Sequence, residues 1–463
     1  MIFQQYCLGS LSQLSYLIGD ATSGRAVVVD PHRDVAVYRH DAEEHGLHIE
    51  RVIETHCHAD FLSGHLELAA TGAAICYGEG TATDYPIEPL HDGQRLDLGD
   101  VTLEIRATPG HTPESISIVV YEHRDSAAPY GVLTGDTLLV GDVGRPDLSS
   151  GAGGSSTDMA RQLYRSLHDK LLTLPDETQV FPAHGAGSAC ARNLSADTSS
   201  TIGKQRRTNQ ALALRSEEEF VAAVTTGQQP APPYFSFASQ RNRERRPLLD
   251  KAHQPTPMSF TELAAQRSAG VVVLDAREPS DFAACHLRGS VNVGLDGRFA
   301  EYVGAVLRPD QRVALVCPEG RELEATIQLG LIGYDNVVGY LDNPFGAFVD
   351  HADAIESSSR LTATALAARR AETTGLVLLD VRNPGELADG VIPGAVHIPL
   401  TRLVQRACEL NRTHPTTVYC AGGYRSMIAA SWLTAAGFVH VSDLLGGYGA
   451  WADMEVLDAV QAR

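Results

Sequence analysis

Over the first 200 residues, short β-branched runs alternate with Gly, Asp and Pro turns. Tyr16-Leu17-Ile18, a turn through residues 19–25, and Ala26-Val27-Val28-Val29-Asp30 predict strand, turn and strand. Val52-Ile53-Glu54-Thr55 predicts a strand that runs into His56-Cys57-His58-Ala59-Asp60. Val132-Leu133-Thr134 predicts one that ends at Gly135-Asp136, and Val180-Phe181-Pro182-Ala183 one that ends at His184. Polar side chains therefore collect at strand ends, where open sheets place their sites. Residues 204–257 break this rhythm. Residues 216–224 predict a short amphipathic helix, followed by Pro230, Pro232 and Pro233 and the basic run Arg241-Asn242-Arg243-Glu244-Arg245-Arg246, which together predict a semi-rigid connector, the alternative being that its Tyr, Phe and Arg pack over the first domain.

The last 200 residues repeat themselves. Val273-Leu274-Asp275-Ala276-Arg277-Glu278-Pro279 parallels Leu378-Leu379-Asp380-Val381-Arg382-Asn383-Pro384, and Gly289 and Gly394 each lie fourteen residues beyond the aspartate. Each copy then has a strand entering a loop at Cys317 or Cys420, and closes on Gly333-Tyr334 or Gly437-Phe438. The offset of about 104 residues is the size of a compact domain, and strand–helix alternation predicts α/β layers around a parallel sheet.

Composition narrows the picture. The chain has 463 residues, 43% hydrophobic and 20% charged, enough for about three globular domains. Its net charge of −20 disfavours nucleic acid and anionic membrane surfaces as partners. No apolar run reaches the ~18 residues of a membrane span, and no Lys or Arg precedes Arg25, so a cytoplasmic protein without a secretory signal is expected. Eight cysteines without dense spacing suit reduced thiols rather than a disulfide framework. Cys7, Cys57, Cys76, Cys285 and Cys408 have no reactive context.

His56, His58 and Asp60 alternate, so in extended chain they share a face while Cys57 points away. His111 in Pro109-Gly110-His111-Thr112, Asp136 in Thr134-Gly135-Asp136-Thr137 and His184 in Pro182-Ala183-His184-Gly185 complete a candidate metal constellation. Four histidines and two aspartates at strand ends argue for a metal site over scattered surface histidines. Cys190 follows His184 within a Gly-rich turn. It is either a thiol brought near the metal, able to hold substrate, or a small buried apolar residue.

Near the C-terminus, Cys420-Ala421-Gly422-Gly423-Tyr424-Arg425-Ser426 follows a predicted strand. Two glycines let backbone N–H groups curl toward one centre. Arg425 adds positive charge, and a helix beginning near Ser426 would aim its N-terminus at the same point. Each lowers a thiol pKa and favours Cys420 as nucleophile. In the first copy, Cys317-Pro318-Glu319-Gly320-Arg321-Glu322 is degenerate, with Arg321 one position early and only a partial substitute for Arg425. Pro318 removes a donor, Glu322 stands where Arg425 stands, and Cys317 is expected to be inactive.

These motifs carry two resemblances. Thr55-His56-x-His58-x-Asp60, Pro-Gly-His111-Thr, Thr-Gly-Asp136 and Pro-Ala-His184 resemble the metallo-β-lactamase superfamily, which implies an αββα sandwich over about residues 1–200. Dinuclear zinc hydrolases of that superfamily carry His directly after the aspartate. Here Phe61 stands there, so a single metal is expected. The segment is similar to the persulfide dioxygenase branch, which implies one Fe(II) per chain held by His56, His111 and Asp136, with open positions for O2 and a persulfide. His58, Asp60 and His184 would then either orient ligands and move protons or remain for packing. Gly144-Arg145-Pro146-Asp147 resembles a segment of the same branch. It suggests that Arg145 binds a substrate carboxylate, the alternative being a salt bridge to Asp147 or Asp142.

The Cys420 loop, Asp380-Val381-Arg382 and Ile392-Pro393-Gly394 resemble the rhodanese sulfurtransferases. That implies a Cys420 persulfide, with Gly422, Gly423, Tyr424, Arg425 and Ser426 holding the anionic donor or acceptor. The expected domains are residues 1–203, a connector over 204–257, a degenerate rhodanese copy over 258–352 and an active one over 358–463. The domain order resembles fused persulfide dioxygenase–sulfurtransferases. Such a protein would oxidise a low-molecular-weight persulfide, such as glutathione persulfide, to sulfite, and would make or consume thiosulfate through Cys420 in sulfide detoxification. The family also implies a homodimer or homotetramer. The rivals are a dinuclear zinc thioester hydrolase of the glyoxalase type and a non-catalytic sulfur carrier or sensor. Thiol carrier, direction of the sulfur transfer and channelling between sites are left open by the sequence.

Overall fold

The computed structural model describes residues 1–148, 155–192, 194–214, 216–252 and 254–461. The domain expected to end at residue 463 therefore has its last two residues outside the described residues. The chain divides into two units, one of residues 1–231 and 235–249, the other of 232–234 and 250–463.

The first unit contains two six-stranded sheets. One holds β1 (Ile2–Leu8), β2 (Gln13–Asp20), β3 (Arg25–Val29), β4 (His48–Ile53), β5 (Ala74–Gly78) and β6 (Glu88–Leu90) in chain order. The other holds β7 (Arg95–Asp97), β8 (Thr102–Ala107), β9 (Ile116–Tyr121), β10 (Gly131–Gly135), β11 (Gln179–Pro182) and β12 (Ser200–Thr201). Period-2 patterning decides which face each residue takes. Tyr16, Ile18, Val27 and Val29 from one sheet meet Ile105, Ile118, Val120 and Leu133 from the other in a shared core. The intervening Leu17, Ala26 and Val28 instead face Tyr38 and Ala42 of the helix Ala36–Glu44. On the far side, Val119 and Val132 pack under Ala160 and Leu163 of the helix Ser156–Arg165. The layers are helix, sheet, sheet, helix, as the resemblance implied.

Of the stretch expected to be a connector, residues 204–214, 216–231 and 235–249 belong to this unit. Ser216 caps the helix Glu217–Thr225 by accepting from the Glu219 N–H, and Phe220 and Val224 enter the core. Farther on, Arg246 donates to Glu67 at 2.7 Å beside Arg33, which contacts the same carboxylate at 3.2 Å; all three side chains are buried. Asn242 is fully buried.

The second unit holds both repeats. The first has a parallel sheet of β13 (Pro257–Met258), β14 (Val272–Asp275), β16 (Val291–Asn292), β17 (Val313–Val316) and β18 (Val337–Leu341), in the order β13-β18-β17-β14-β16. A separate antiparallel pair joins β15 (His286–Leu287) to β19 (Ile355–Glu356). The second repeat has β20 (Ser359–Leu361), β21 (Val377–Asp380), β22 (Val396–His397), β23 (Thr416–Tyr419) and β24 (Val441–Leu444), parallel and in the order β20-β24-β23-β21-β22. The two sheets have the same order, so the sequence repeat is a structural one. In each, the reactive-loop cysteine directly follows the central strand, β17 or β23. Among the described residues no helix is long and apolar enough to cross a membrane.

Removing Arg246 would leave Glu67 short of a buried partner. Arg246→Ala is expected to lower stability by about 3–5 kcal/mol, read by urea denaturation of the full chain.

Candidate metal centre and sulfur loop

The site of the first unit is assembled from strand ends. Asp30 follows β3, His56 follows β4, Asp136 follows β10 and His184 follows β11, while His111 lies in the turn between β8 and β9. His56 Nε2 lies 3.8 Å and His111 Nε2 3.4 Å from Asp136 Oδ2. All three side chains are buried, and their ligand atoms fall within 4.8 Å of one another.

The surroundings fix the tautomers. Thr55 Oγ1 donates to Asp30 Oδ2 at 2.8 Å, so it accepts from His56 Nδ1 at 3.0 Å. His111 Nδ1 donates to the Arg145 carbonyl at 2.8 Å. Each imidazole thus keeps its proton on Nδ1 and turns an Nε2 lone pair toward Asp136. Burial holds both imidazoles below their ordinary pKa, so both are neutral. Burial works against the Asp136 charge, yet His184 and His111 hold its carboxyl well below the usual range. Asp136 Oδ2 has no hydrogen-bond partner. Three electron-pair donors aimed at one another in buried space repel unless a cation lies among them. Two imidazole nitrogens and one carboxylate oxygen therefore fit a metal ion. Gly144 brings backbone against this group, since a Cβ there would lie 2.0 Å from the Asp136 carbonyl and 3.0 Å from His111 Nδ1.

The structure also brings His58, Asp60 and His184 within 4.8 Å of one another. His184 Nδ1 faces Asp136 Oδ1 at 2.6 Å and its Nε2 faces Asp60 Oδ2 at 2.8 Å. Burial opposes its charge, but these two carboxylates raise it well above the ordinary histidine pKa. His58 Nε2 lies 3.0 Å from Asp30 Oδ1, and its ring packs tilted against Phe61, with centroids 4.4 Å apart. By their spacing His58, Asp60 and His184 could also hold a cation. Cys190 lies within 4.8 Å of Asp136 and His184 ligand atoms, and burial pushes its thiol up to about 12.

Arg145, expected either to bind a substrate carboxylate or to pair with Asp147 or Asp142, is buried and pairs with Asp147. Nε and Nη2 grip Asp147 at 2.7 Å each, Nη2 also donates to the Gln229 carbonyl, and Nη1 to the Ala189 carbonyl. Its contribution to the centre is the backbone carbonyl that orients His111.

Three residues escaped the sequence reading. Asp30 and Thr55 set the His56 tautomer; their only signal was the strand end they share with the ligands. Asn242 donates to the carbonyls of His58 and Phe61 at 2.9 and 2.8 Å and accepts from the Ser63 N–H at 2.9 Å, clamping the ligand loop. Nothing local in an Arg-rich stretch marks it.

In the second unit, Cys420 is buried and its Sγ accepts from the Gly423 N–H at 3.1 Å, with Ser426 Oγ at 3.7 Å. Gly423 has φ 106°, a left-handed turn that starts the helix Tyr424–Ala435. The loop is closed from behind by the Tyr448 N–H, which donates to the Cys420 carbonyl at 2.7 Å. Gly447 makes this approach possible, because a Cβ there would lie 2.3 Å from that oxygen. Space beside Gly422 is open. Tyr424 was expected to hold substrate, but its hydroxyl donates to the Gly294 carbonyl of the first repeat at 2.6 Å. Arg425 is gripped by Glu386 through two contacts of 2.6 Å. In the first repeat, Arg321 is bound to Asp296 and Glu324, and the Gly320 N–H donates to Glu322 rather than to sulfur. Burial and Glu322 push the Cys317 thiol up.

Comparisons with known proteins agree with these geometries. Residues 8–184 match the metallo-beta-lactamase superfamily, and residues 259–351 and 362–454 each match the rhodanese-like domain. The chain is 34% identical over 235 residues to the mitochondrial persulfide dioxygenase ETHE1 of Bos taurus and, equally, to that of Homo sapiens, covering 49% of this chain and 82% of each relative. It is 38% identical over 162 residues to hydroxyacylglutathione hydrolase of Hahella chejuensis, covering 35% of this chain and 57% of that relative. A crystal structure of a metallo-beta-lactamase from Staphylococcus aureus subsp. aureus COL aligns with a TM-score of 0.66 at 34% identity, covering 74% of this chain and 98% of that one. The chain belongs to the persulfide dioxygenase family of the metallo-beta-lactamase superfamily and carries two rhodanese-like domains beyond that fold.

Proposed function

We propose that the first unit is an iron(II) persulfide dioxygenase and that Cys420 transfers sulfane sulfur between persulfide, sulfite and thiosulfate. The observation that carries the first half is the convergence of His56 Nε2, His111 Nε2 and Asp136 Oδ2, with both Nδ1 protons committed elsewhere. Iron(II) held there would bring O2 and the persulfide sulfur together and take part in electron transfer between them. One persulfide, one O2 and one water give thiol, sulfite and two protons, so the reaction balances without a further reductant.

The chain's own groups have distinct tasks in this reading. The Asp30–Thr55 pair and the Arg145 carbonyl hold the two imidazoles in the ligating tautomer. His184, between Asp136 and Asp60, keeps a proton beside the reacting sulfur. Cys190 presents a neutral thiol at the same place. In the domain proposed for residues 358–463, Cys420 is the nucleophile and the Gly423 N–H stabilises its thiolate. Cys317 takes no part. The thiol carrier we favour is a small one such as glutathione, in a cytoplasmic homo-oligomer.

Anaerobically iron-loaded protein is expected to consume O2 with glutathione persulfide and release sulfite. Two zinc ions per chain, thioester hydrolysis and no O2 uptake would instead favour the hydrolase suggested by the Hahella chejuensis relative. Thr55→Val, which keeps shape but removes the acceptor for His56 Nδ1, is expected to weaken iron binding about 10–100-fold, read by chelator competition. Cys420→Ser is expected to abolish thiosulfate formation while leaving O2 consumption by the first unit in place. Loss of both activities together would contradict the division of labour.

A further inference from the structure

The Cys420 loop is less cationic than its sequence suggests. Arg425 is the only basic residue among residues 420–426. Its Nη1 donates to Glu386 Oε2 and its Nη2 to Glu386 Oε1, both at 2.6 Å. Glu386 is itself held in place. Its Oε2 accepts from the Asn383 N–H at 2.8 Å, and its carbonyl accepts from Arg382 Nη1 at 3.2 Å. The pair is mostly shielded, with side-chain exposures of 14% for Arg425 and 30% for Glu386, so solvent does not screen it away. Two neighbouring arginines are matched in the same way. Arg382 grips Asp380 at 2.7 Å, and Arg360, whose Nη2 would lie 4.0 Å from a Cβ on Gly423, grips Asp443 with two contacts of 2.9 Å. Three arginines around the loop therefore each carry a carboxylate of their own.

We infer that Glu386 determines the charge selectivity of the sulfur loop. By occupying Arg425, it turns the loop away from doubly charged donors such as thiosulfate and toward persulfides, which carry a single charge at the reacting sulfur. This rests on Cys420 being the sulfur acceptor. With thiosulfate, the Cys420 thiolate attacks the outer sulfur, the S–S bond breaks, and sulfite leaves with the bonding pair. Three negative charges then share the loop. With a persulfide anion, the thiolate attacks the terminal sulfur and a thiolate leaves, so only two charges share it. The Gly423 N–H and a neutralised arginine serve the second case better than the first. The fork geometry leaves Arg425 other N–H groups to offer, so Glu386 tunes the loop without closing it.

The test compares Glu386→Gln with the parent full-length protein, using thiosulfate and 2-hydroxyethyl persulfide as donors and intact mass to follow sulfur gain at Cys420. The ratio of kcat/KM for thiosulfate to that for the persulfide is expected to rise about tenfold, mainly through a lower thiosulfate KM, and to fall back as salt is added. Glu386→Asp, which retains the charge, is expected to stay near the parent ratio and guards against misfolding as the cause. An unchanged or lower ratio in a Glu386→Gln protein whose Cys420 still gains sulfur would overturn the inference alone. A parent protein whose Cys420 gains sulfur from neither donor would overturn both the inference and the reading of Cys420.

Discussion

Three lone pairs meeting in a buried space are the constraint on which the first unit depends. Neutral His56 and His111 and ionised Asp136 turn electron pairs toward one another, an arrangement that a cation among them relieves. Their environment enforces this arrangement. Thr55, backed by Asp30, and the Arg145 carbonyl occupy the other nitrogens of the two imidazoles, and His184 occupies the other oxygen of Asp136. Gly144 allows the chain to pass close enough for the Arg145 carbonyl to serve. The αββα core matters to function because it presents these strand ends at one place.

The two units handle sulfur by different physics. In the first, charged and neutral side chains surround a candidate metal site, with the His184 imidazole between the carboxylates of Asp60 and Asp136. In the second, the backbone does most of the work. The Gly423 N–H faces Cys420 sulfur, the Tyr448 N–H ties down its carbonyl, and charge around the loop is balanced pair by pair. The first repeat keeps the sheet order but engages its loop donor with Glu322 and its arginine with Asp296 and Glu324.

Much of this convergence was legible in the sequence because polar side chains at strand ends follow from local pattern. His56, His111 and Asp136 each announce themselves beside Gly, Thr or Pro, and the repeat with its two cysteine loops is visible by self-comparison. Residues acting at long range were not legible. Asn242 holds a loop about 180 residues before it, and Arg246 completes a buried carboxylate cluster, yet both sit in a Pro- and Arg-rich stretch that reads as a connector. The partners of the Arg145 and Tyr424 side chains were not legible for a related reason. Their motifs reveal the side-chain type, whereas Asp147 and the Gly294 carbonyl that engage them are set by the fold. Glu386 likewise pairs with Arg425 across 39 residues and carries no local mark of that role.

The central claim is that one cation sits among His56, His111 and Asp136. Anomalous diffraction at the iron edge from crystals of the iron-loaded protein tests it most directly. The account predicts a single strong peak bounded by those three side chains, with His184 still paired to Asp60. Two peaks, with Asp60 and His184 both within coordination distance of the second, would contradict it.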